Sequence, residues 1–123
     1  MLRPGTGLAA AAFVAAFSLP AAAADLQDGI FDCYIGSTFL GNIRIENGTF
    51  AGPAFDGDYE GSYPLEVTGG GTINWGGPLG GMSSGGNTVV ATVLKDRGGG
   101  RIGFDITLQN GQGNFQSVGC DPE

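Results

Sequence analysis

Hydrophobic residues recur at every second position along much of this chain. Residues 101–109, RIGFDITLQ, set Ile102, Phe104, Ile106 and Leu108 on one side and Arg101, Asp105, Thr107 and Gln109 on the other. Residues 38–46 repeat the pattern, with Phe39, Ile43 and Ile45 opposite Asn42, Arg44 and Glu46. Between 59 and 67, Tyr59, Tyr63, Leu65 and Val67 oppose Glu60, Ser62 and Glu66. A period of two puts alternate side chains on opposite faces of an extended strand, whereas a helix would need a period of 3.6. The run TVVATVL at 88–94 is apolar on both faces and predicts a central, more deeply buried strand.

Turn residues punctuate these runs. Asn47-Gly48 stands between two apolar stretches, and this dipeptide tolerates the two positive φ angles that a tight hairpin demands. Asp96 to Gly100 and Asn110 to Gly113 separate the last three strands in the same way. The strands are expected near 29–36, 38–46, 49–51, 58–67, 71–75, 88–95, 101–109 and 114–120, with no helical window beyond residue 24. The fold class is therefore all-β and antiparallel, with seven to eight strands in a closed or nearly closed small barrel. A two-sheet sandwich is the alternative. Pro64 lacks an N–H, so its strand is expected at an edge or bulged there.

The N-terminus has a different character. Arg3 precedes an apolar, alanine-rich run from Leu8 to Leu19, then Pro20 and Ala22-Ala23-Ala24. A basic start, a short apolar stretch and small residues before the cut form a secretory signal peptide of bacterial style, with cleavage expected before Asp25. The run is too short to span a bilayer, which takes about 20 residues. The single β domain is then 25–123, with no transmembrane anchor in the mature form, and is placed in the periplasm or outside the cell.

Charge and cysteine usage agree with export. The mature chain carries Arg44, Lys95, Arg97 and Arg101 against 12 acids, a net charge of −8. So acidic a surface has no footprint for nucleic acid and is repelled by anionic lipid. Cys33 and Cys120 are the only cysteines, and histidine is absent. In an oxidising compartment such a pair reads as a disulfide. Closing so long a loop stabilises by about 4 to 5 kcal/mol on the chain-entropy view. Tying the first strand to the last, it is expected to seal the sheet where open edges would otherwise meet water.

Few residues offer chemistry. Gly81-Met82-Ser83-Ser84-Gly85 fits the nucleophile-elbow spacing, but no histidine exists to take the serine proton and no helix is expected to follow. Gly98 to Gly103 fits G-x-G-x-x-G, yet a strand follows it where a phosphate-binding helix would be required. Asp56, Asp58 and Glu60 match the opening half of a calcium loop, where alternate carboxylates converge on one cation. The twelfth position is Val67 rather than Glu, so calcium is a weak candidate and no other cofactor is implied. Asn47-Gly48-Thr49 matches the glycosylation sequon but is already committed to a turn. Trp75 is either a core residue sharing a face with Ile73 or an exposed stacking platform for a sugar or a partner aromatic, with Tyr34, Tyr59 or Tyr63 nearby. Residues 69–86, with nine glycines in eighteen positions, read as a turn and short strand to Trp75 followed by a long mobile connection.

Phe31-Asp32-Cys33 near the mature start, Gly71 to Trp75 leading into Gly77-Pro78-Leu79-Gly80-Gly81, and Cys120 near the C-terminus carry a resemblance. The chain resembles a loose group of small exported bacterial β proteins of unassigned function. The resemblance implies export and the disulfide, and no activity. The functional expectation is a non-enzymatic binding or interaction module of the cell envelope, its ligand an unidentified envelope or extracellular molecule. The alternatives are a carboxylate-dependent hydrolase of envelope glycan, and a structural or calcium-stabilised envelope protein.

Overall fold

The computed structural model describes residues 26–52 and 62–123. The expected leader, Tyr59 and the acids Asp56, Asp58 and Glu60 lie outside the described residues.

Eight antiparallel strands follow one another: β1 (Gly29–Ile35), β2 (Thr38–Glu46), β3 (Thr49–Ala51), β4 (Tyr63–Val67), β5 (Ile73–Trp75), β6 (Thr88–Asp96), β7 (Ile102–Gln109) and β8 (Phe115–Pro122). Sequence neighbours pair throughout except at β5 and β6, and β1 also pairs with β8. The strand order is β5-β4-β3-β2-β1-β8-β7-β6. The two outermost strands meet through the bridge Thr72↔Val93, beside which the Leu94 N–H donates to the Gly71 carbonyl at 2.8 Å. The result is an up-and-down barrel, nearly closed, with seven junctions made by ladders and the eighth by a single bridge.

The turns form as their residues dictate. Asn47 and Gly48 take φ of 52° and 77°, so the β2–β3 hairpin uses two left-handed residues in succession. In the β7–β8 turn the Asn110 side-chain oxygen accepts the N–H groups of Gln112 and Asn114, each at 2.9 Å. Asp96 does the same for Gly98 at 2.8 Å in the β6–β7 turn.

Described side chains pack the barrel interior. Phe31, Ile43, Phe50, Phe104, Ile106 and Val118 are fully buried, and the rings of Phe31 and Phe104 pack with centroids 5.1 Å apart. Eight strands enclose a space that side chains just fill. Cys33 and Cys120 are disulfide-bonded within this core, opposite one another in the β1–β8 register, with Cα atoms 4.0 Å apart.

Four expectations need correction. The disulfide ties the first strand to the last as expected, through the β1–β8 ladder, but it does not complete the barrel: the one junction without a ladder lies between β5 and β6. β6 is not deeply buried. It is an outermost strand, with Val90 and Val93 exposed and Thr92 as its one buried side chain. Valine suits any extended strand, so the TVVATVL run carried β-propensity rather than a burial signal.

Phe39 does not share the inner face with Ile43 and Ile45. The β1–β2 register skips Leu40, a bulge that turns Leu40 toward the core and leaves Phe39 outside, 53% exposed. The strand containing Pro64 is neither an edge nor bulged, since β4 pairs with both β3 and β5. Pro64 instead sits where the β4–β5 ladder ends. Its carbonyl accepts the Gly76 N–H at 2.7 Å, and beyond Leu65↔Trp75 no further ladder pair follows.

The glycine-rich connection is anchored as well. A single 3₁₀ turn, Gly80–Ser83, holds Leu79 and Met82 completely buried at 1% exposure each, and both join the core cluster. Adjacent glycines make room for the chain: a side chain on Gly77 would strike the Tyr63 ring.

Candidate functional site

Beyond the Thr72↔Val93 bridge, β5 and β6 part. Asn74 and Trp75 pair with β4 alone, and Val89 and Ala91 with β7 alone. The gap is a groove of about 400 Å³ lined by residues 72–75 and 89–92. A bulge lies on its β6 side, because the register passes from Val89 to Ala91 and leaves Val90 unpaired and 45% exposed. Unpaired strand edges carry rows of backbone donors and acceptors, and charged residues, proline and bulges are the usual devices that blunt them. This edge carries the bulge and no charge: Lys95 and Asp96 come only after the bridge.

Trp75 forms the inner wall of this groove. Its ring meets Phe50 edge-on at 4.8 Å and Phe104 at 5.6 Å, and its indole N–H donates to Thr92 Oγ1 at 2.7 Å. Thr92 is itself buried, so the one hydrogen bond satisfies two polar groups at the base of the seam. Tyr63, expected alongside Trp75 as a ligand surface, packs 6.0 Å from Phe50 and beneath Gly77. Trp75 and Tyr63 are thus brought together around Phe50, both half-buried and turned to the core.

The outer wall holds a second constellation that sequence reading did not assemble. Phe39 on β2, Tyr34 on β1, Gly119 on β8 and Asp105 on β7 stand opposite one another in successive ladders, a row across four strands. The Tyr34 and Phe39 rings lie 5.3 Å apart and face solvent. Arg97, from the β6–β7 turn, lays its guanidinium across this row. One Nη2 donates to Asp105 Oδ1 at 2.8 Å and to the Phe104 carbonyl at 3.3 Å, while Nε stands 2.8 Å from Asp121 Oδ1. Glycines clear its path. A Cβ on Gly103 would come within 3.0 Å of Arg97 Nε and strike the Cys120 carbonyl oxygen, and one on Gly119 would lie 3.6 Å from Nη2. Partial burial opposes the guanidinium charge, but the hydrogen bond and charge of Asp105, with Asp121, outweigh it and raise the Arg97 pKa above its ordinary value. A shallow depression of about 360 Å³ results, lined by Tyr34, Gly36, Arg97, Asp105, Ser117, Gly119 and Asp121. Its legible signs in the sequence are the glycine at 119 between apolar neighbours and Gly41, a glycine inside a strand pattern that takes φ 133° beside the bulge at Leu40.

The remaining motifs have structural work. Ser83 of the elbow-like pattern accepts the Leu79 N–H on its Oγ at 2.8 Å, which fixes the 3₁₀ turn. Gly98, Gly99 and Gly100 all take positive φ in the β6–β7 turn. Asp105 and Asp121 are spanned by one guanidinium rather than by open space, unlike the facing carboxylates that glycoside hydrolysis uses. Among the described residues no group of three or more His, Cys, Asp or Glu side chains is placed to hold a metal ion, and no helix is long and apolar enough to cross a membrane. No protein-family model, curated protein or solved structure matches this chain.

Proposed function

We propose that this domain is an exported, non-enzymatic binding module of the cell envelope that takes a short extended polypeptide segment in the β5–β6 seam. The observation that carries the reading is the incomplete eighth junction: beyond a single bridge, two strand edges face each other across a groove, in a barrel whose other junctions are all laddered. The side chains packed inside the barrel support it, because the described core leaves the groove at the surface as the place to meet a chain. Backbone edges select an extended chain, since main-chain hydrogen bonds supply affinity and alternate side chains supply specificity. The bulge at Val90 interrupts the edge and limits the segment to a few residues. The leader-like N-terminus and the buried disulfide favour an oxidising compartment outside the cytoplasm.

Trp75 reports directly on the groove. Random peptides displayed on phage are selected on the purified protein, and the enriched peptides are titrated while Trp75 emission is followed. The reading expects a shift in emission that V90K abolishes, because an ammonium group on the open edge blocks strand addition. Enriched peptides that bind V90K equally well, or no enrichment at all, contradict it.

A further inference from the structure

We infer that the outer wall of the barrel carries a second binding site, for a neutral carbohydrate, formed by Tyr34 and Phe39 together with Arg97, Asp105, Asp121 and Ser117. The site is independent of the seam, which lies between other strands.

The argument begins with the bulge. Without it, strand alternation would send Phe39 inward beside Ile43 and Ile45. The extra residue Leu40 reverses the alternation and sets a phenylalanine in water next to Tyr34. A half-exposed phenylalanine ring forgoes part of the stabilisation that burial would give it. Bulges recur where a side chain is re-aimed for function. Here the re-aimed ring and Tyr34 make a two-ring apolar platform at one end of the row, while Val93, opposite Asp105, is an exposed apolar side chain at the other.

The polar half of the site decides what the platform receives. Arg97 lies at its centre with raised proton affinity, so a cationic ligand stacking on the aromatic pair would meet a fixed positive charge. Asp105 and Asp121 flank it, so a phosphate or carboxylate would meet two negative ones. Each carboxylate contacts Arg97 through one oxygen, leaving its second oxygen to accept from a ligand. The Ser117 hydroxyl both donates and accepts. Mixed donors and acceptors of nearly balanced charge beside an apolar face complement a ring that is apolar on its C–H face and edged with hydroxyls. A sugar is such a ring. The row from Phe39 to Asp105 crosses three strand spacings, about 14 Å, which is longer than one sugar unit and favours an oligosaccharide. Gly119 adds no side chain of its own between Tyr34 and Asp105, which leaves that space to the Arg97 guanidinium.

The test uses the purified, disulfide-intact protein and immobilised neutral oligosaccharides: β-1,3- and β-1,4-glucan, galactan and chitin oligomers. Choline and sulfated oligosaccharide serve as cationic and anionic controls. The wild type is expected to retain at least one neutral oligomer and neither control. Y34A and F39A each weaken that binding roughly tenfold, the worth of one stacked ring, while the protein stays folded with a melting temperature lowered only by the loss of the Tyr34–Phe39 contact. V90K at the seam leaves it unchanged. Ring-proton NMR shifts of Tyr34 and Phe39 in the unmutated protein, on adding the retained oligomer, give a readout free of folding effects. No retention of any neutral oligomer, equal retention by Y34A and F39A, or binding of a control in its place overturns the proposal. Because V90K affects the peptide and the aromatic variants affect the sugar, either site can fail without the other.

Discussion

Two junctions of this barrel invite comparison. At β1–β8 the first and last strands pair in register and are crosslinked through a disulfide buried in the core. At β5–β6 the contact is one backbone bridge and a side-chain hydrogen bond from Trp75 to Thr92. A barrel needs both junctions to close, yet this chain invests its covalent bond in one and leaves the other open. Cohesion at the chain's ends frees the middle of the chain to part. The seam also lies next to the segment 76–87, which is anchored by two side chains rather than by a ladder.

The contrast can be broken at several points. The largest effect is expected from the staple. The paired variant C33A/C120A, or reduction of the wild type, removes roughly 4 kcal/mol, which for a domain this small lowers the melting temperature by about 20 °C or abolishes folding. An unchanged midpoint under reductant contradicts the role given to the disulfide. Next comes the anchor of the connection. M82A empties a fully buried site and costs about 2 to 5 kcal/mol in denaturant titrations. A loss below about 0.5 kcal/mol would mean the 3₁₀ turn is not seated in the core, since that is the scale of surface substitutions.

Smaller effects sharpen the comparison at each junction. T92V keeps shape but removes the acceptor for the Trp75 indole, for an expected loss of about 1 to 3 kcal/mol. It should also shift Trp75 emission as the seam loosens. At the stapled end, Glu123 donates its backbone N–H to Ile30, and its side chain faces Asp32. The hydrogen bond and negative charge of Asp32 raise the Glu123 carboxyl above its ordinary pKa. Its protonated form is thereby favoured in the folded state, so the contribution is present below the ordinary carboxyl pKa and is lost as pH rises through the raised value. E123Q should flatten that small loss in melting curves taken as pH rises above the ordinary carboxyl range. A loss of unchanged size in E123Q assigns it to another group.

Much of the fold was legible in the residues, for identifiable reasons. Alternation at 102–108 and turn chemistry at Asn47-Gly48 are local, and local physics decided both. The all-β class and its seven to eight antiparallel strands followed from such signals, with a barrel favoured over a sandwich, while the disulfide was read from the even cysteine count and the expected compartment. What escaped was set by register between distant segments. The bulge at Leu40 depends on how β1 meets β2, and the outward turn of Phe39 follows from it. The position of the open seam depends on β1 pairing with β8, which turned the valine-rich β6 from an expected centre into an edge. Leu79 and Met82, three apart on a 3₁₀ turn, were hidden among glycines that signal freedom in sequence but here allow close packing against Tyr63. Of the expected ligand residues, Trp75 does line a groove, but from its inner side. The Tyr34–Phe39 row could not be read because its members come together only through the ladders.

Amide hydrogen exchange tests the central contrast most directly, since it reads the opening of each junction in the unmodified protein. The amides of β1, β7 and β8 around the disulfide should exchange only with global unfolding, while those of Trp75 and Val89 to Ala91 exchange faster by orders of magnitude through local opening. Uniform protection across both junctions, or faster exchange at β1–β8 than at β5–β6, would contradict a barrel that is locked at its ends and open at its middle.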